Sequence, residues 1–89
     1  MYGAFVSVKL QGDLDAARKA LNEEVVPMVR SAPGFVAGYW FEPRDGQGWS
    51  VALFETEEQA RSAAPKAGTS PTPFATVDTV EFREVVAQA

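Results

Sequence analysis

The sequence predicts an α+β fold: a ferredoxin-like βαββαβ unit with a four-stranded antiparallel sheet and two helices on one face. Three observations carry this. Four stretches, YGAFVSVKL, FVAGYWFE, GWSVALFE and VDTVEFREVV, are rich in β-branched and aromatic residues. Two stretches with helix-start signals, DLDAARKAL and TEEQARSA, fall between the first and second and between the third and fourth of these. A tight turn at Asp45-Gly46 joins the middle two into a hairpin.

Taken in order, Tyr2 to Leu10 alternates small and larger apolar residues and reads as a strand that Gly12 ends. Asp13 is a good N-cap, and Leu14, Ala17, Leu21, Val25 and Met28 recur at spacings of three and four, so one apolar stripe runs along a helix from Leu14 to about Arg30. Pro27 removes a backbone donor and crowds the carbonyl of Glu23, which predicts a kink or an early end there. Pro33-Gly34 stops the helical path.

With Asp45 and Gly46 as the turn residues, the hairpin register pairs Phe41 with Ser50, Trp40 with Val51, Tyr39 with Ala52, Gly38 with Leu53 and Ala37 with Phe54. Pro43 cannot donate to a ladder, which puts the second strand at a sheet edge. Thr56 and Gln59 fit a capping box for a second helix that ends near Ala64, before Pro65. Residues 65–76, PKAGTSPTPFAT, lack periodicity and read as the mobile loop of the chain. The last strand is predicted over Val77 to Val86. Right-handed crossovers place the first and third strands centrally and the second and fourth at the edges.

At 89 residues the chain reads as one domain, 1–89, too short for two independent cores. It contains no cysteine and no histidine, which excludes disulfides, thiolate nucleophiles, a Ser-His-Asp triad and His-metal sites. A net charge of −4, with the basic residues scattered, argues against nucleic acid and anionic membrane as partners. No run of 18 apolar residues and no signal-peptide pattern is present, so a soluble cytoplasmic protein is expected.

Two helices cover one sheet face, yet the strands carry large apolar residues on both. Each buried ring accounts for about 150–250 Å², so three or four on an open face exceed the few hundred Å² a soluble monomer usually exposes. A second copy is expected to cover that face, giving a homodimer. Parity alone does not say which rings face the helices.

Through EEVVPMVRSAPGFVAGYWF, the Gly-rich hairpin, WSVALFETEEQA and the valine-rich last strand, nearly the whole chain resembles the dimeric α+β-barrel superfamily and, within it, the antibiotic biosynthesis monooxygenase (ABM)-like small proteins. The resemblance implies that two subunits pack sheet against sheet into a dimeric α+β barrel. Its members include cofactor-independent oxygenases of polycyclic phenols, haem-degrading enzymes that use a histidine ligand, and small isomerases. The oxygenases line a pocket between sheet and helices with tryptophan, tyrosine, asparagine and arginine. Those types occur here as Tyr39, Asn22, Arg83, Trp40 and Trp49, the candidate substrate-binding residues. No catalytic residue is assigned, and no metal or organic cofactor is expected.

Each candidate has a competing structural reading. Tyr39 and Trp40 suit a core or dimer interface with the polar tip at the rim. Trp49 suits half-exposed packing beside the turn, Asn22 a solvated helix face, and Arg83 an ion pair with a cross-strand or intersubunit carboxylate. Glu23-Glu24 and Glu57-Glu58 do not face each other within their helices and read as solvated charge, as do Glu81 and Glu84. The expected activity is binding or oxidation of a small aromatic molecule without a cofactor. A noncatalytic ligand-binding or structural dimer is the alternative, and an isomerase or lyase would need a glutamate buried in the pocket.

Overall fold

The computed structural model describes residues 1–89. Four strands, β1 (Tyr2–Leu10), β2 (Phe35–Trp40), β3 (Gln47–Phe54) and β4 (Ala75–Glu84), form one antiparallel sheet in the order β2-β3-β1-β4. The central and edge positions are those the crossover rule predicts, with the Pro43-flanked strand at an edge.

The first helical segment is continuous from Leu14 to Arg30 but changes pitch. Asp13 caps it, its Oδ1 accepting from the Asp15 N–H at 2.9 Å. An α-helical turn pair, α1 (Leu14–Ala20), widens into a π-helical segment (Leu21–Val25) and returns as α2 (Val26–Arg30). At the junction the Val26 N–H reaches back to the Leu21 carbonyl, one residue further than in an α-helix. The predicted kink at Pro27 is therefore resolved differently. A proline ring collides with the carbonyl four residues back, and the wider turn just before it relieves that crowding without ending the helix.

The turn forms as expected, but the register beyond it does not. Asp45 and Gly46 have φ of 52° and 73°, and Arg44 and Gln47 exchange two 2.9 Å hydrogen bonds across the turn. Further along, Trp40 pairs with Ser50, Tyr39 with Val51, Gly38 with Ala52 and Ala37 with Leu53, each one residue off the expected pairing. Phe41 donates to the Trp49 carbonyl at 2.9 Å rather than facing Ser50. The slip is absorbed at Phe41-Glu42-Pro43, where Pro43 has no N–H to keep the ladder regular. A second irregularity then brings Phe35, not Ala37, opposite Phe54.

The short helix α3 (Glu57–Ala63) starts at the predicted capping box, with Thr56 Oγ1 accepting from Gln59 N–H and Gln59 Oε1 from Thr56 N–H, both at 3.2 Å. Gly34, at φ 78°, packs against this cap, and any Cβ there would overlap the Gln59 carboxamide. β4 begins and ends two residues earlier than predicted. The preceding loop is tied down: Gly68 and Thr69 pair with Val77 at 2.8 Å, and Gln11 bonds to Phe74 and Pro73 at 2.9 and 2.8 Å. That bonding ties residues 65–76 to β4 and to Gln11.

Alternation assigns the two sheet faces. Ala4, Val6, Val8, Gly38, Trp40, Gly48, Ser50, Ala52 and Phe54 share the helix side through their cross-strand pairs. Gly3, Phe5, Ala37, Tyr39, Val51, Leu53 and Arg83 share the outer side. The closely packed core is small: Ala4, Phe54, Ala60 and Val77 are buried where α3 meets the sheet. Phe54 is fixed there by an edge-on contact with Phe35, ring centroids 6.0 Å apart at 74°. No helix is long and apolar enough to cross a membrane.

Candidate functional site

Whereas α3 sits tightly on the sheet, the first helical segment stands off it. None of its residues from Leu14 to Arg30 is buried, and the apolar Leu14 and Met28 are 56% and 63% exposed. The stripe predicted to pack into a core instead forms the roof of an open cleft. The cleft has a volume of about 920 Å³, and 20 of its 31 lining residues are hydrophobic. That volume lies at the upper end of the range typical of small-molecule sites.

Its floor is the sheet, made shallow by small side chains. Gly48, Ala52 and Ala4 leave the strands nearly bare, with Val6 and Val8 beside them. Trp40 forms one wall. Leu21, Val25 and Met28 hang from the roof, and Pro71, Thr72 and Ala75 of the tethered loop close one end. Phe41, Pro43 and Trp49 border the hairpin end.

The polar content is sparse and specific. Ser50 is the one hydroxyl among the floor strands, between Gly48 and Ala52 along β3 and between Trp40 and Val6 across the sheet. Its side chain makes no hydrogen bond within the protein, whereas buried Ser7 on the outer side bonds to Thr79. In the π-helical segment, Asn22 donates its Nδ2 to the Arg18 carbonyl at 2.9 Å. This leaves the amide oxygen to accept. Charges stay at the rim: Asp15, Arg18 and Glu42 are all exposed, and Glu42 faces Arg44 at 3.6 Å. No cluster of carboxylates suited to a metal ion is present.

The five residues singled out from sequence thus separate. Asn22 and Trp40 line the cleft, whereas Trp49 borders its hairpin end but, paired with Ser7 and in step with Val51, carries its ring on the outer face. Tyr39 and Arg83 lie on the outer face, where Tyr39 is 57% exposed opposite Val51, and Arg83 pairs with Glu81 of its own strand at 3.8 Å rather than with a cross-strand carboxylate. Ser50 was missed. The signal for it was present in the Gly-Trp-Ser-Val-Ala run, as a lone polar residue at the alternate position between Gly48 and Ala52, but the expected register hid its pairing with Trp40. The glutamate that an isomerase reading requires is also lacking, since Glu42, which lines the cleft, is exposed and paired.

No family model and no curated protein matches the sequence. Solved structures do match the fold. A variant of SnoaB, a cofactor-independent oxygenase from Streptomyces nogalater, superposes with a TM-score of 0.69 at 17% identity, covering 98% of this chain and 95% of its own. The chain has the ABM-like α+β fold. A variant of MhuD with two manganese protoporphyrin IX bound per active site superposes with a TM-score of 0.72 at 18% identity, over 100% of this chain and 98% of that one. At these identities the likeness is one of backbone. The lining of this cleft does not fit a porphyrin: the chain has no histidine or cysteine for the metal, and Arg18 is the one cation lining the cleft for two propionates.

Proposed function

We propose that this ABM-like protein works as a homodimer and binds a small aromatic molecule in the cleft between the first helical segment and the sheet. The observation that carries this is the cleft itself: a wide apolar space with a shallow floor, an indole wall and one unpaired hydroxyl on the floor strands. Flat apolar ligands bury well on such a floor, and one or two placed polar groups set their orientation. Ser50 is the hydroxyl that would meet a ring substituent, and Asn22 the acceptor above it.

The outer face supports the dimer. Phe5, Tyr39 and Trp49 are 41%, 57% and 51% exposed there, beside Val51 and Leu53. Three part-exposed rings beside Val51 and Leu53 make an apolar patch of the size that often marks an interaction site on a protein surface. Tyr39 and Arg83 then belong to the subunit contact, not to the ligand.

Oxidation of the bound molecule by dioxygen, without a cofactor, is the second reading. It is favoured by the hydroxyl and indole N–H donors beside an apolar space, where charge developing on oxygen is stabilised more strongly than in water. Isothermal titration with 1-naphthol tests binding, and an oxygen electrode tests the chemistry on an electron-rich phenol. Saturable heat at one site per subunit supports the binding reading, and its absence with all phenols tried would remove it. Binding without oxygen uptake leaves a noncatalytic binding dimer.

A further inference from the structure

Asn22 stands in the cleft roof with both of its oxygens left to accept. The π-helical turn takes the Val26 N–H, the α-helical donor for the Asn22 carbonyl, to the Leu21 carbonyl instead. The next amide along the chain belongs to Pro27, which has no N–H to give. No side chain replaces it: the Ser31 hydroxyl, at the end of the same helical segment, donates to the Pro27 carbonyl at 2.8 Å. In the side chain, Nδ2 is spent on the Arg18 carbonyl at 2.9 Å, and because that partner can only accept, it fixes which end of the amide is oxygen. A helical carbonyl points along the axis toward the residues three and four positions on. For Asn22 these are Val25 and Val26, and all three line the cleft.

Resting on the aromatic-ligand reading, we infer that Asn22 and Pro27 together select a ligand whose polar end donates hydrogen bonds, an aryl amine above all, over one whose polar end only accepts. An oxygen that gives up its water to a ligand without gaining a donor is left unsatisfied, which costs more than a hydrogen bond gains. A primary amine brings two donor hydrogens and a hydroxyl one, whereas an ether or a carboxylate brings none. Ser50 does not discriminate among these groups, because a hydroxyl both donates and accepts. The charges lining the cleft act in the same direction, with the carboxylates of Asp15 and Glu42 against the one guanidinium of Arg18. Pro27 does not itself line the cleft. It is a positioning residue that acts through the carbonyl it leaves free.

The test compares dissociation constants of 1-naphthylamine, 1-naphthol, 1-methoxynaphthalene and 1-naphthoate, one ring system with four polar ends, measured calorimetrically on the full chain at neutral pH. The amine should bind about fivefold tighter than the methyl ether, the scale of one hydrogen bond made or lost. Naphthol should fall between them, and naphthoate should bind most weakly. Pro27→Ala returns an amide within reach of the Asn22 carbonyl and raises helix propensity, so this variant keeps the helix. Asn22→Leu removes the side-chain oxygen. Each should reduce the amine-to-ether preference, and the double variant should abolish it. A merely structural role for Pro27 would change all four affinities together and leave the preference in place. Ether or naphthoate binding as tightly as the amine, or a preference that survives in the double variant, would overturn the inference while leaving the aromatic-ligand reading intact. If the parent protein binds none of the four, that reading itself fails, and the donor selection falls with it.

Discussion

Trp40 and Ser50 are direct cross-strand partners on the helix side of the sheet, so the largest ring of the cleft and its one floor hydroxyl stand side by side. This neighbourhood exists because the hairpin slips by one residue at Phe41-Glu42-Pro43. In the register expected from the turn alone, Trp40 would face Val51, and the hydroxyl would stand on the same face as Phe41. A slip of one residue changes every such pairing along the strand.

Removing the hydroxyl should weaken ligand binding without weakening the fold. Ser50→Ala is expected to raise the dissociation constant for a phenolic ligand by about fivefold, corresponding to one hydrogen bond of about 1 kcal/mol. Thermal denaturation should show an unchanged midpoint, because Ser50 has no partner in the protein to lose. A large drop in that midpoint would mean the side chain has a structural role.

Phe54 tests where the tightly packed core lies. It is 1% exposed and stacked edge-on against Phe35. Phe54→Ala should destabilise the protein by about 3–5 kcal/mol, the usual cost of emptying a buried aromatic site. Leu14→Ala, at the exposed start of the first helix, should cost less than about 1 kcal/mol by the same urea titration, since little of that side chain is removed from water.

The outer face predicts a change of assembly. Val51→Lys puts a charge among Phe5, Tyr39 and Leu53, and light scattering should report a monomer for the variant and a dimer for the parent chain. Circular dichroism should show the same secondary structure for both.

Tyr2 supplies a pH signature. The negative charge of Glu84 on the facing strand is the main reason its hydroxyl titrates above the ordinary value of 10.0, with some desolvation and Glu57 adding and Arg61 opposing. Because the folded state holds this proton more tightly than the unfolded one, its contribution is complete below pH 10 and is lost as pH rises through the folded value. Ultraviolet titration of Glu84→Gln should move the Tyr2 transition downward. An unmoved transition would assign the shift elsewhere.

Much of the fold was legible because its signals are local. Asp45-Gly46 needs positive φ, Thr56 and Gln59 cap a helix, and Pro43 excludes a central strand, each within a few residues. The cleft was not legible for the opposite reason. The stripe from Leu14 to Met28 has the same spacing whether it packs on a sheet or roofs an open space, and only the tertiary structure, with α3 and the tethered loop supporting the sheet, distinguishes the two. Trp40 and Tyr39, both singled out by residue type, fall on opposite sides of the sheet because adjacent strand residues point to opposite faces, and nothing in the sequence states which face the helices cover.

The most direct test of the cleft is a nitrogen-proton spectrum of the labelled protein during titration with 1-naphthol, following the two indole N–H signals and the amides of the four strands. The account predicts saturable shifts at the Trp40 indole and around Ser50, Ala52 and Val6, with Tyr39 and Phe5 little changed. Shifts confined to Tyr39, Phe5 and Leu53, or no shifts at all, would contradict it.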